Sequence, residues 1–261
     1  MANIVEYEVR GKVAIITLNR PEARNAVNGD VASNLEAAID QLENDPQVWI
    51  GILAANVAGQ ERPVFCAGAD LKAINSGQAG ALNTKRGGFG GFVYRERKKP
   101  MIAAVDGLAT AGGCELVLAC DMVIATSRSA FGLAESTRNL IAGAGGLFRL
   151  PRAIGRAAAM EAILTGEPFS AQRAFELGMV NKVVEPNTAL DGALDLANRV
   201  CKAAPLAVWA SRKIVLAADY ETDEKLIEMT NKEFGAVLAS EDTKEGLTAF
   251  IEKRPPNWQG K

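Results

Sequence analysis

The 261-residue chain carries 29 Lys and Arg against 31 Asp and Glu, a formal net charge of −2, with 48% hydrophobic and 23% charged residues. That balance suits a soluble globular protein with a sizeable core and gives no global attraction to nucleic acid or an anionic membrane. The chain contains no histidine, which removes His-based zinc sites, Ser-His-Asp triads and Cys-His dyads and leaves acid–base work to carboxylates, Lys, Tyr, Cys or backbone groups.

The opening "MANIVEYEVR" lacks a basic segment followed by an apolar one, so no secretory signal is read and a cytoplasmic location is expected. Residues 4–10 and 12–18 are β-rich runs around "RGK" and predict a hairpin. Val31, Leu35, Ala38, Ile39 and Leu42 then recur at helical spacing, with Asn28 as N-cap and Pro46 beyond the end. "VWIGILAA" (48–55) is a short apolar strand. "FCAGADLKAI" (65–74) reads as a strand end turning through Gly68 into a helix, and "NSGQAGALNTKRGGFGG" (75–91) as a mobile Gly-rich loop. The basic run "YRERKKP" (94–100) could attract phosphate groups of a ligand or contact RNA, and with balanced overall charge reads as a solvated loop.

"MIAAVDG" (101–107) and "MVIATS" (122–127) are two further strands flanking a short helix across 112–120. "GRAAAMEAILTG" is helical with Gly166 as its stop, "SAQRAFELG" is a capped helix from Ser170 to Gly178, and "MVNKVV" is a last strand. From about residue 188 only helices are expected, broken near Pro205 and around 219–222. Strands alternating with helices predict an α/β architecture with mostly parallel pairing, divided into a core over 1–198 and a helical part over 199–261. Cys66, Cys114, Cys120 and Cys201 form no CxxC pair and complete no metal site. No run approaches the roughly 18 apolar residues of a membrane span.

Three segments carry candidate chemistry. In "GGCELVLACD" (112–121) an acid, Glu115, precedes an uninterrupted apolar run, where an isolated ionised carboxylate is heavily penalised. "FCAGADLKAI" and "GLATAGGCEL" (107–116) are strand–turn–helix segments whose turns aim unpaired N–H groups outward. They are either plain tight connections or, if they face one another, two donors for one oxygen that gains negative charge. "FGLAESTRNLIAGAGG" (131–146) places Glu135 in weakly polar surroundings. Taken singly, Glu115 reads as an acid paired with Arg or capping its helix, and Glu135 as a loop carboxylate. Together, beside two donor turns and without imidazole, they point to a reactive cleft. "GAGG" (143–146) lacks the Lys-Ser/Thr of a P-loop.

"NRPEARNAV", "FCAGADLK", "AGGCELVLACD", "FGLAE…GAGG" and "AFIEKRPPNW" resemble, in order and from about residue 10 to 257, the crotonase (enoyl-CoA hydratase/isomerase) superfamily. The resemblance implies a ββα superhelical spiral core with a C-terminal helical trimerisation region, assembled as a homotrimer or dimer of trimers. It implies an oxyanion hole from the N–H groups of Ala69 and Gly112, with Glu115 and Glu135 as the catalytic pair. It further implies an acyl-CoA site lined by Ala67, Gly68, Asp70, Leu71 and Lys72, with Arg24 near the CoA and Phe250 and Lys253 supplied by a neighbouring subunit. Neither a cofactor beyond the CoA of the substrate nor a metal is expected. The implied activity is enoyl-CoA hydration, with Glu115 as base toward water and Glu135 as proton donor, one of the two carboxyls having a raised pKa. Carnitinyl-CoA dehydratase, enoyl-CoA isomerase, 3-hydroxyacyl-CoA hydrolase and a non-catalytic RNA-binding or scaffold member stay open. Phe89 and Phe92 either cover an acyl chain or pack within their loop.

Two departures from the pattern stand out. The usual triple glycine reads Ala111-Gly112-Gly113, with a small effect expected because the donor position keeps glycine. Ala142 replaces a proline, which is expected to loosen the loop after Glu135.

Overall fold

Alternating apolar residues and a tight turn at Gly11 open the chain as a hairpin: Val5–Arg10 (β1) pairs antiparallel with Val13–Leu18 (β2). The computed structural model describes residues 3–261. The helix predicted next is Gly29–Asn44 (α1), capped by Asn28, whose side chain accepts from the Val31 N–H. Its apolar stripe of Val31, Leu35, Ala38, Ile39 and Leu42 is buried, each large side chain contributing roughly 1.5–3 kcal/mol of transfer free energy.

Three ββα turns follow. The first is Ile50–Ala55 (β3), Val64–Cys66 (β4) and Leu71–Asn75 (α2). After a small ladder, Asn83–Thr84 (β5) with Gly88–Phe89 (β6), the second is Met101–Val105 (β7), Leu108–Thr110 (β8) and Gly112–Leu118 (α3). The third is Met122–Thr126 (β9), Ala130–Gly132 (β10) and Gly146–Ile154 (α4). The first strand of each turn joins one large sheet and the second joins a small one. The large sheet runs β1-β2-β3-β7-β9-β12, parallel from β2 onward, where β12 is Lys182–Val184. The small sheet runs β11-β10-β8-β4, with β4, β8 and β10 parallel and Phe169–Ser170 (β11) antiparallel at its edge. Because β4, β8 and β10 are parallel neighbours, their C-terminal ends open at one side, where α/β folds hold ligands.

Arg156–Thr165 (α5) and Ala171–Glu176 (α6) complete the wrap. Ala189–Val200 (α7) lays Ala189, Ala193 and Ala197 on the outer face of the large sheet, against Ile15, Ile52 and Ile124. Residue 198 thus lies inside a helix that packs on the core. Three helices follow: Pro205–Ala217 (α8), Asp223–Leu238 (α9) and Glu241–Glu252 (α10). The break between α9 and α10, at Ala239 and Ser240, is one the sequence reading did not place. Trp209 of α8 donates its indole N–H to the Trp49 carbonyl at 3.1 Å, and Arg212 pairs with Asp121 at 2.9 Å, docking this region on the core.

Two expectations need correction. The Gly-rich segment 75–91 is pinned, not loose. It carries the β5–β6 ladder, Arg86 pairs with Asp40 at 2.6 Å, and a methyl on Gly91 would stand 2.3 Å from the Ala32 carbonyl of α1. Its glycines permit close approach, and Phe92 is buried in the core. Nor is the basic run a solvated loop. Arg95 pairs with Asp40 at 2.8 Å, Arg97 donates to the carbonyls of Ala119 and Phe92, and buried Lys99 donates to the Leu42 and Asp45 carbonyls at the C-terminus of α1. A cation there satisfies carbonyls that the helix leaves free.

Candidate active site

The turns that follow β4, β8 and β10 line one cleft of about 940 Å³. After β4 the chain makes a single parallel bridge with Val27: the Val27 N–H donates to the Gly68 carbonyl and the Asp70 N–H to the Val27 carbonyl, both at 2.8 Å. Successive peptide groups in an extended chain point to opposite sides. The Ala69 N–H therefore faces away from Val27, and among the described residues it meets no acceptor. Asp70 holds the turn. One of its oxygens accepts from the Lys72 N–H at 3.0 Å to cap α2, and the other pairs with Arg20 at 3.2 Å. Burial pushes the Asp70 carboxyl up, but Arg20 and the Ala73 and Lys72 amides outweigh it and hold it below the usual carboxylate range.

The second donor comes from the turn into α3. Ala111 sits at φ 51°, ψ −130°, a conformation L-residues rarely adopt, and the Gly112 N–H that follows also finds no acceptor among the described residues. A methyl on Gly68 would lie 2.9 Å from the Gly112 nitrogen, so the two turns abut. Alanine at 111 carries a backbone strain of order 1–3 kcal/mol, while the donor position keeps glycine.

Glu115 lies one turn into α3, is only 3% exposed, and lines the cleft. Its Oε1 accepts the Ala144 N–H at 2.7 Å and the Gly146 N–H at 2.9 Å. Burial raises its carboxyl to about 7, against the pull of the Gly146 and Ala144 amides and Arg149 and with a push from Glu135. Glu135 begins the short turn after β10 and lines the same cleft, and its Oε2 is buried without a hydrogen-bond partner among the described residues. Its carboxyl is also raised, by burial, with Arg138 opposing. The charge of Glu135 thus adds to the upward push on Glu115.

Arg24, Ala67, Leu71 and Lys72 line the mouth with Asp70. Arg24 adopts φ 52°, and its carbonyl accepts the Ala67 N–H. Gly68 does not line the cleft; it belongs to the first donor turn and packs against the second. Phe250 and Lys253 stand apart, on α10 and at its C-cap, with Phe250 85% exposed. Ala142 is buried beside Gly146, with the turn at Gly143 anchored by the Tyr94 hydroxyl at 2.9 Å, so the missing proline does not leave this loop unsecured.

Sequence reasoning missed several lining residues: Arg20, Tyr94, Arg138, Leu140 and Ile141. Only the turn at 143–146 left a signal, its clustered glycines, which were weighed as a phosphate loop and instead present amides to Glu115. Phe89 and Phe92 both belong to the core, and Phe89 also lines the cleft.

The sequence model of the family described as "Enoyl-CoA hydratase/isomerase" matches residues 8–261. The chain is 37% identical to the short-chain-enoyl-CoA hydratase of Clostridium acetobutylicum, over 97% of this chain and 96% of that one. It is 35% identical to the carnitinyl-CoA dehydratase of Proteus mirabilis over all of both chains. The crystal structure of enoyl-CoA hydratase from Mycobacterium tuberculosis H37Rv superposes with a TM-score of 0.93 at 44% identity, covering both chains completely.

Proposed function

Because this chain belongs to the enoyl-CoA hydratase/isomerase family, we propose that it is a hydro-lyase that adds water reversibly across the 2,3-double bond of a 2-enoyl-CoA thioester. The observation that carries this reading is the meeting of two unsatisfied N–H groups, Ala69 and Gly112, with two carboxyls, the buried Glu115 and the half-buried Glu135, in a single cleft.

The thioester oxygen sits between the two amides. As water adds to the β-carbon, the π electrons move through the α-carbon to that oxygen, and the amides hold the resulting enolate. Losing one such donor costs about 100- to 1,000-fold in rate. Glu115 takes the proton from water. A carboxylate raised to about 7 is matched to proton transfer near neutrality, and its two N–H bonds support the anion it must be before the step. Glu135 delivers a proton to the α-carbon from an oxygen with no competing partner. Each cycle leaves the proton on Glu115 and the charge on Glu135, so the pair resets by passing one proton back.

Ala67, Leu71, Lys72 and Arg24 at the mouth receive the CoA portion, and the reaction needs no cofactor besides the CoA of the substrate. The working form is a homotrimer or a dimer of trimers. α9 and α10 expose Phe234, Leu238, Phe250 and Ile251, a face that assembly covers, and Phe250 and Lys253 then approach a neighbour's cleft. Sedimentation velocity reads this directly, a monomer at micromolar concentration being the contrary result. The four cysteines are free, in keeping with a reducing cytoplasm, and no helix among the described residues is long and apolar enough to cross a membrane.

The test is a panel of enoyl-CoA thioesters, followed by loss of the conjugated-thioester absorbance, with free thiol monitored to detect hydrolysis. Crotonyl-CoA turnover is expected. Faster turnover of crotonobetainyl-CoA would assign the second reading, a carnitinyl-CoA dehydratase, which the full-length likeness to such an enzyme favours. The paired carboxyls favour hydration over double-bond isomerisation. An RNA-binding role loses its main support because Arg95, Arg97 and Lys99 are engaged within the protein.

A further inference from the structure

Glu115 is fixed by a segment outside its own helix. The amides of Ala144 and Gly146 that bind its Oε1 belong to a turn that contributes no side chain to that contact. Two groups grip this turn from behind. The Tyr94 hydroxyl donates to the Gly143 carbonyl at 2.9 Å, and the Arg149 guanidinium donates to the Ala144 carbonyl at 3.2 Å and to the Val93 carbonyl at 2.6 Å. Arg149 also lies 5.6 Å from the Tyr94 ring and 5.1 Å from the Phe148 ring. Successive carbonyls are thus held on one side while the amides present to Glu115 on the other.

We propose that Arg149, with Tyr94, is a positioning residue of the hydration site, a cationic latch that holds the 143–146 turn and through it the Glu115 carboxylate. The proposal rests on the hydratase reading above. A guanidinium placed only for packing would be a poor choice here. Arg149 forms no ion pair among the described residues, and a half-buried cation without a carboxylate partner is costly unless its surroundings compensate. Carbonyls, two aromatic faces and the charge of Glu115 do so.

The charge has a second effect. Glu115 faces Glu135 across the cleft, Arg149 from α4 and the adjacent Cys114 thiol. Arg149 itself faces Tyr94, Glu115, Arg152 and Cys120. Among these Arg149 is the cation that favours the Glu115 anion, so removing it favours protonated Glu115.

The experiment compares Arg149→Met, Arg149→Lys and Tyr94→Phe in the full chain, with kcat and KM for crotonyl-CoA measured from pH 5 to 9. Arg149→Met is expected to lower kcat about 10- to 100-fold with little change in KM, and to move the acidic limb of kcat/KM upward by about half a pH unit or more. Arg149→Lys should return the limb to its wild-type position while recovering only part of kcat. Tyr94→Phe should lower kcat about 3- to 10-fold without moving the limb. A limb that stays in place in Arg149→Met, or one that Arg149→Lys fails to restore, overturns the latch. If Arg149→Met does not fold, Arg149→Lys and Tyr94→Phe decide, because wild-type kcat in both overturns it equally. Carbon-13 NMR titration of the Glu115 carboxyl, assigned with Glu115→Gln, needs no turnover. An upward shift in Arg149→Met, in a protein that hydrates no enoyl-CoA, upholds the latch and discards the hydratase reading.

Discussion

Gly68 and Gly112 lie so close that a side-chain carbon on the first would stand 2.9 Å from the nitrogen of the second. Their contact sets the spacing of the two cleft amides, since Ala69 follows Gly68 and Gly112 supplies the other N–H. Gly68→Ala meets both this clash and a backbone at φ +85°. The variant is expected to lose about 1–3 kcal/mol of stability and about 100-fold in kcat. Urea unfolding and crotonyl-CoA kinetics at a temperature where the variant stays folded separate the two effects, and unchanged kcat would remove the oxyanion hole from the mechanism.

Glu115→Gln and Glu135→Gln keep shape and remove the titrating group. Each is expected to slow crotonyl-CoA hydration by about 10²- to 10⁴-fold while binding a saturated acyl-CoA as the wild type does. Calorimetric titration with butyryl-CoA measures the binding. Full activity in either variant contradicts the proposed pair.

The same glutamine carries a stability signature. Glu115 is raised to about 7 from the usual 4.5, so the folded protein retains a proton that the unfolded chain has released. That contribution to stability is complete below about pH 4.5 and is lost as pH rises through 7. Glu115→Gln escapes the loss and should exceed the wild type by about 3 kcal/mol at pH 8, with the difference closing near pH 4.5. Denaturant midpoints at the two pH values test the sign as well as the size.

Ala111 holds a backbone conformation suited to glycine. Ala111→Gly removes that strain and adds some unfolded-state entropy, for a net gain of about 1 kcal/mol. Thermal unfolding should show a higher Tm, and a lower one would mean that the methyl group packs usefully.

Long, strongly patterned elements were legible in the sequence because their burial is local and periodic. The hairpin, α1 with its Asn28 cap, and α6 with its Ser170 cap all declare themselves this way. β10 and β11 have three and two residues, too few for a period, and exist because neighbouring strands satisfy them. α4 was hidden by Pro151 and by the glycines before it. In the cleft, Glu115 and Glu135 were conspicuous as acids among apolar residues. Tyr94 and Arg149 were not, because their roles depend on carbonyls brought near by the fold.

A buried acid that titrates close to neutrality, in a polypeptide devoid of imidazole, leaves its mark on heat as well as on rate. Ligand binding that repels or neutralises this carboxyl takes up or gives off hydrogen ions without any histidine background. Measured enthalpies should therefore change with the ionisation heat of the buffer, and the slope counts the hydrogen ions exchanged at the cleft.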